Sequence, residues 1–408
     1  MKKYIFLSCG VFGVGGGQLY VANKTDYLIR QGYEVYTVSS SVFSVNGVLV
    51  YQKLNQAQNE TFTELRYEPD VYSRRRQDKI IENIIRIFAL QEQDEIVLES
   101  NDLTGSLWAE RIAARVGAKH IVFSVSEHNE LDAHMLDFLE FKCQRGELAT
   151  ISKRSFENIL EASSVITEQN LTLLRAYLGD AIEDVPCAAL EKVEKGDFNV
   201  CIMGRGEKRY VEYACLALAA FCEKHPSSRF TVALIAEFRD AQTEKAVLDA
   251  FGAVKNIRFY HFGYLSPIPR SLVTFFDLYI GGAGCASLFY RQKVLTLAMD
   301  LYHDRPLGLM GYDTCVTSVA SSEDADMDAC LEDAFFRKEY LKKEYTPAPV
   351  LSAEEAFAYH DAFLAHSSEE KAYFTARNRR VSCKEKLKAH FPFLAAMRIK
   401  LLKISGKL

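Results

Sequence analysis

No run of about 18 apolar residues occurs in this 408-residue chain, so no segment is expected to cross a membrane as a helix. Its ten cysteines are scattered from Cys9 to Cys383 without a CxxC pair. That spacing excludes a small disulfide framework and a thiolate metal cluster, and it suits reduced thiols in a cytosol. A positive balance is also missing: the formal net charge is −5, which argues against a general nucleic-acid binder. Lys2-Lys3 before Tyr4-Ile5-Phe6-Leu7 has the outline of a secretory leader, but the apolar stretch stops at Ser8 and runs into glycines. No removed leader is expected.

What the chain does have is enough apolar content, 49% hydrophobic against 25% charged, to build two domains with separate cores. Charge is uneven along it. From Arg377 onward ten Lys/Arg face one acid, Glu385, which leaves 39 basic against 53 acidic residues, about −14, in the rest. Any attraction to an anionic surface is therefore expected from the C-terminal tail. Within that tail Leu394, Met397, Leu401 and Ile404 share one helical face, suited to packing on the first domain or to an anionic leaflet.

The opening stretch reads as strand, glycine loop, helix and strand. Tyr4 to Leu7 is apolar, Gly10, Gly13, Gly15, Gly16 and Gly17 follow, Leu19, Ala22, Thr25, Leu28 and Ile29 keep helical spacing, and Gly32 ends the helix before strand 33–38. Glycines there allow close backbone approach to a ligand, and the helix start offers unpaired N–H groups. A dinucleotide fold would need a glycine where Gln18 stands and a carboxylate where Ser39-Ser40-Ser41 stands. A nicotinamide or flavin enzyme is accordingly disfavoured.

The alternation continues with a helix over 78–90 preceded by Arg74-Arg75-Arg76, read as a solvated run, then strand 95–98, helix 106–116 and strand 120–125. Ser126-Glu127-His128-Asn129-Glu130 follows that strand, at the carboxyl end where open α/β sheets hold ligands. A histidine between carboxylates can act as general base or hold a sugar hydroxyl, and an ordinary polar loop is the competing reading. After a linker over 179–196 the grammar repeats. Strand 199–203, turn Gly204-Arg205-Gly206-Glu207-Lys208-Arg209, helix 211–224 and strand 229–235 lead on to strand 278–280 and Gly281-Gly282-Ala283-Gly284. Asp304-Arg305-Pro306 and Gly311-Tyr312-Asp313-Thr314 follow the next strand and are expected near the same crevice, or to be plain polar loops. The acids from Glu323 to Asp328 read as a helix start or a solvated loop, and no metal site is expected.

Taken together these motifs resemble the GT-B glycosyltransferases, specifically the bacterial polysaccharide-building transferases related to sucrose and glycogen synthases. Gly15-Gly16-Gly17-Gln18, with the helix ending in Gly32-Tyr33-Glu34-Val35, is similar to that family's acceptor-side opening. Ser126-Glu127-His128 falls where the family often carries a histidine, and Thr150-Ile151-Ser152-Lys153 is similar to its later strand ending in serine. Met203-Gly204-Arg205 is similar to the turn that opens its donor domain, whose arginine and a nearby lysine hold the nucleotide diphosphate. Here Lys208 and Arg209 come sooner than that lysine does, so either takes its place or neither does. The family's pair of spaced glutamates is absent, and Gly281, Gly282, Gly284 and Ser287 stand in that stretch as a phosphate-holding turn.

The resemblance implies an α/β fold of two Rossmann-like doubly wound domains facing across a cleft. Residues 1–190 would form the acceptor side, 197–365 the nucleotide-sugar donor domain, and 366–408 basic helices packing back on the first domain. It implies a cytoplasmic hexosyltransferase-type enzyme, at the inner face of the cell membrane, moving sugar to a glycan or lipid-linked acceptor in capsular or exopolysaccharide synthesis. A nucleotide-diphosphate sugar would be its donor substrate, with no cofactor and no nucleic acid partner. Arg205, Lys208, Arg209, Gly281, Gly282, Gly284, Ser287, Asp304, Tyr312 and Thr314 would contact the donor. Gly15, Gly16, Gly17, Gln18 and Glu130 would contact the acceptor, and Glu127 or His128 would position or deprotonate it. The alternatives are a non-catalytic transferase-like scaffold and a nucleotide-sugar epimerase of the same architecture.

Overall fold

The computed structural model describes residues 1–11, 15–41, 53–125, 131–179, 181–238, 240–316, 325–349, 351–375, 381–382, 385–386 and 389. Two compact units emerge, one made of Met1–Gly179 with Ser352–Leu408, the other of Asp180–Leu351. The second crossing of the chain therefore lies at Ser352, ahead of the 366 expected from sequence. Ser352 caps the helix Ala353–His366 through a reciprocal capping box with Glu355, a local signal that starts a helix without saying which unit receives it. Among the described residues no helix is long and apolar enough to cross a membrane.

The first unit is built on seven parallel strands: β1 (Lys2–Ser8), β2 (Glu34–Ser39), β3 (Gln58–Thr61), β4 (Glu95–Ser100), β5 (Lys119–Ser124), β6 (Leu148–Thr150) and β7 (Thr172–Leu173). Their order is β3-β2-β1-β4-β5-β6-β7. Strands such as β1 and β4 are buried along nearly their whole length, as helices on both faces of a parallel sheet require. The order reverses direction between β1 and β4, the place where such sheets open a ligand crevice at their carboxyl ends. The helix expected over 78–90 runs Arg74–Ile87. Its three leading arginines thus form its first turn, while Ile80, Ile81 and Ile84 enter the core.

A buried polar network ties the returning helix to this sheet. Lys24 Nζ lies 2.5 Å from Glu99 Oε2, and the Tyr4 and Tyr20 hydroxyls donate to the same carboxylate at 2.6 and 2.8 Å. Asn101 Nδ2 donates to it at 3.0 Å. His360, on the returning helix, sits 3.3 Å from the Tyr20 hydroxyl through Nδ1 and 2.9 Å from the Arg175 carbonyl through Nε2. Burial opposes the Glu99 charge, and the Lys24 ammonium outweighs that opposition and lowers its pKa. Burial and the same ammonium push His360 from its ordinary 6.5 down to about 4.

The second unit pairs the short strands β8 (Ile182–Glu183) and β12 (Ile268–Pro269). Its main sheet contains β9 (Phe198–Met203), β10 (Phe230–Ile235), β11 (Ile257–His261), β13 (Leu278–Gly282), β14 (Thr296–Met299) and β15 (Pro306–Leu309). The order is β11-β10-β9-β13-β14-β15, parallel except for β15 at the edge. Here the reversal falls between β9 and β13. β13 passes without a loop into the helix Ala283–Arg291, and Ala283 makes that bend at φ 45°.

Two outcomes follow from these features. Folded His360 stays neutral while the unfolded chain protonates it below about 6.5, so stability should be full above that pH and fall as pH drops toward 4. Trp108, the single tryptophan and fully buried in the first unit, reports this in urea titrations at pH 7 and 4.5. Buried His120 is pushed down as well, chiefly by burial, so His360→Gln should reduce the pH slope without abolishing it; identical slopes would refute the neutral buried imidazole. Second, a left-handed φ costs a non-glycine residue about 1–2 kcal/mol. Ala283→Gly should therefore raise the calorimetric melting temperature, opposite to the usual loss of about 1 kcal/mol inside a helix, and a lowered one would contradict this.

Candidate functional site

At the carboxyl ends of β9 and β13 backbone segments come close enough that side chains are excluded. A Cβ on Gly204 would meet the Tyr210 hydroxyl and, at 2.6 Å, Val211 Cγ2; one on Gly206 would lie 2.6 Å from the Glu237 carbonyl oxygen. On the neighbouring strand, a Cβ on Gly281 would lie 3.0 Å from the Met203 oxygen, and one on Gly282 2.8 Å from Leu301 Cδ2 and 3.1 Å from the Tyr210 ring. The turn over 204–208 is tied down by Gly204 N–H to Ile235 O (3.1 Å), Gly206 N–H to Glu237 O (3.2 Å) and Lys208 N–H to Arg205 O (2.9 Å).

These contacts put two helix starts beside one another at the reversal of strand order, with Arg205 in the turn that leads into one of them. Its guanidinium is part exposed and only 3.3 Å from Glu207 Oε1. Burial pushes the Cys285 thiol up to about 11, and the Arg205 charge together with a hydrogen bond from Tyr210 pulls the other way, which marks Arg205 as a neighbour of the first turn of the helix Ala283–Arg291. Gly284 and Ser287 lie in that helix's first two turns, and Gly281 and Gly282 close β13. A helix start with a cation near it suits an anion, a phosphate above all. Tyr264, from the loop after β11, is close enough to Cys285 and Glu237 for their charges to raise its pKa, after the larger effect of burial.

Other residues singled out from sequence are placed differently. Lys208 is the N-cap residue of the helix Arg209–Lys224, and Arg209 opens it and pairs with Asp304. The two expected donor contacts thus meet each other at this edge. Tyr312 and Thr314 do not reach it. β15 runs antiparallel to β14, so it starts at the carboxyl edge and ends at the opposite one, where Met310 N–H bonds to Thr296 O at 2.8 Å. Tyr312 instead packs against Tyr340 and Tyr345 at ring distances of 4.9 and 5.1 Å, and Thr314 bridges to Met310.

In the first unit Gly15 precedes the helix Gly16–Arg30, and the Gln18 amide closes the glycine loop by donating to Gly10 O at 2.9 Å. A Cβ on Gly17 would come within 3.1 Å of Val125, so Gly15, Gly16, Gly17 and Gln18 do gather at the carboxyl edge beside β5. Glu127, His128 and Glu130 lie outside the described residues, as does the tail face of Leu394, Met397, Leu401 and Ile404. Sequence reading missed Asp102, which caps the helix Leu103–Val116 by accepting from Gly105 N–H at 2.7 Å. Burial raises its pKa against donation from the Gly105, Cys9 and Thr104 N–H groups. The signal available was Asp102 at the start of a helical pattern.

No family model matches the sequence, and no curated protein matches it. Solved structures do. A glycosyltransferase from Rickettsia africae is 15% identical, with 90% of this chain and 94% of that one covered at a TM-score of 0.55. HepE of Anabaena, determined in complex with UDP-glucose, is 11% identical over 89% and 96%, with a TM-score of 0.56. A Listeria monocytogenes protein assigned provisionally as a UDP-N-acetylglucosamine 2-epimerase is 13% identical over 92% and 99%, with a TM-score of 0.51. The likeness spans nearly the whole chain, and with two doubly wound α/β units it gives this protein the GT-B fold of glycosyltransferases.

Proposed function

We propose that the protein is a glycosyltransferase that takes a sugar from a nucleotide-diphosphate donor held by the second unit and passes it to a hydroxyl-bearing acceptor. The observation that carries this reading is the close approach of the turn after β9 to the start of the helix Ala283–Arg291 where the strand order reverses, with Arg205 near enough for its charge to act on Cys285. Negative charge grows on the leaving diphosphate as the glycosidic bond breaks, so a cation and oriented N–H groups set there in advance lower the barrier. Support also comes from HepE, which shares the fold and was determined with UDP-glucose. Lys208 and Arg209 are the further cations of this edge, Arg209 once Asp304 releases it.

We assign the acceptor to the first unit, at the loop of Gly15, Gly16, Gly17 and Gln18, with Glu127, His128 and Glu130 as groups that position or deprotonate its hydroxyl. A glycan or lipid-linked saccharide of a cell-surface polysaccharide is the acceptor class. The basic C-terminal tail suits work at the inner face of an anionic membrane. The second reading is a nucleotide-sugar epimerase, favoured by the Listeria relative of the same fold. It would need an acid and a base at the sugar carbon and no separate acceptor.

Binding tests the donor assignment first. A nucleoside diphosphate at about 100 times its dissociation constant adds about 2.7 kcal/mol of apparent stability, so one of UDP, ADP or GDP should raise the melting temperature measurably. Arg205→Ala should weaken that nucleotide by at least about tenfold, the loss of one charge-assisted contact. Unchanged affinity in the variant would remove Arg205 from the diphosphate site.

A further inference from the structure

The connection from β14 to β15, residues 300–305, lies next to Gly282 at the same carboxyl edge, because Leu301 is the side chain that a Cβ on Gly282 would strike. Its centre is Asp300, whose side chain is fully buried. Asp300 Oδ1 accepts the N–H groups of Tyr302 (2.9 Å) and His303 (3.2 Å), while Oδ2 faces His303 Nδ1 at 3.1 Å and Arg305 Nε at 3.6 Å. The His303 ring is 49% exposed. Its Nε2 has no protein partner among the described residues.

A buried carboxylate opposite Nδ1 fixes the ring's orientation and tautomer, leaving Nε2 to face a ligand, and it supports the imidazolium if a negative charge is brought to Nε2. Folding of the loop does not call for the ring, since two backbone N–H groups already bond Asp300 and its own N–H bonds to Arg305 O at 3.1 Å. Among the described residues Asp300 pairs with the ring and with Arg305 of the same loop, and the adjoining Asp304 pairs with Arg209 of the helix Arg209–Lys224. Tyr213 of that helix also faces Asp304.

Resting on the reading of the second unit as a nucleotide-sugar domain, we propose that His303, held by Asp300, contacts a phosphate oxygen of the nucleoside diphosphate. It takes a proton from solvent at Nε2 as the diphosphate binds and returns it when the diphosphate leaves. In the reaction that proton sits where the leaving charge grows. His303 is then a group for the donor, and Asp300 is its positioning residue.

The test measures binding of UDP, ADP and GDP calorimetrically from pH 6 to 8.5 for the full chain and for His303→Gln, carrying forward the tightest nucleotide. Wild-type affinity should fall with pH more steeply than that of the variant by up to about tenfold per unit, as uptake of one proton requires. The comparison cancels the nucleotide's own ionisation. Two buffers of different ionisation enthalpy should also report proton uptake that the variant lacks. Because the ring is half exposed, His303→Gln should keep the wild-type urea midpoint. Parallel pH profiles with affinities within about twofold would overturn the proposal while leaving the donor site standing. Failure of all three nucleotides to bind the wild type would overturn the donor reading itself and this proposal with it.

Discussion

A side chain has no room where β9 and β13 end, and that restriction organises the second unit. Gly204, Gly206, Gly281 and Gly282 each lie so close to a neighbouring carbonyl, ring or methyl group that an added Cβ would force a shift. What the crowding achieves is proximity of backbone. Two helices begin next to each other at the reversal of strand order, with Arg205 in the turn that leads into one of them. An anion held there meets dipoles that the fold has already oriented, so no reorganisation is needed when charge develops on it.

The first unit solves a different problem. It must receive a helix that returns after the whole second unit has been made, and it does so with buried polar groups as well as apolar contact. Lys24, Glu99, Tyr4 and Tyr20 form a compact charged centre to which His360 attaches. Phe357 adds ring contacts to Tyr20 and Tyr27. Such a centre costs desolvation, and breaking it leaves a buried charge uncompensated.

Much of this was legible in sequence because its cause is local. Parallel strands buried on both faces read as continuous apolar runs, so Phe230–Ile235 or Ile5 to Leu7 announce themselves. Glycine clusters after strands announce close backbone approach, and Arg205 between two glycines stood out. The direction of β15 was not read, although the spacing carried it. Residues 300–305 are too few for a parallel crossover, which needs about a dozen, so the chain had to turn back and take Tyr312 and Thr314 to the far edge. The Lys24, Glu99 and His360 centre had no local signature, since its members are far apart in sequence and ordinary where they stand. The Asp300 and His303 pair was close in sequence, but only burial of the carboxylate distinguishes it from a polar turn.

The central claim is that the second unit holds the diphosphate of an activated sugar and lets it leave. Its most direct test is nuclear magnetic resonance of the purified chain incubated with a panel of nucleotide sugars and a lipid and saccharide extract as acceptor source. The account predicts that one nucleotide sugar loses its anomeric signal, that the matching nucleoside diphosphate appears, and that the release accelerates when the extract is added. A panel left intact, or a nucleotide sugar returned with one sugar carbon inverted and its bond to phosphate unbroken, would contradict it.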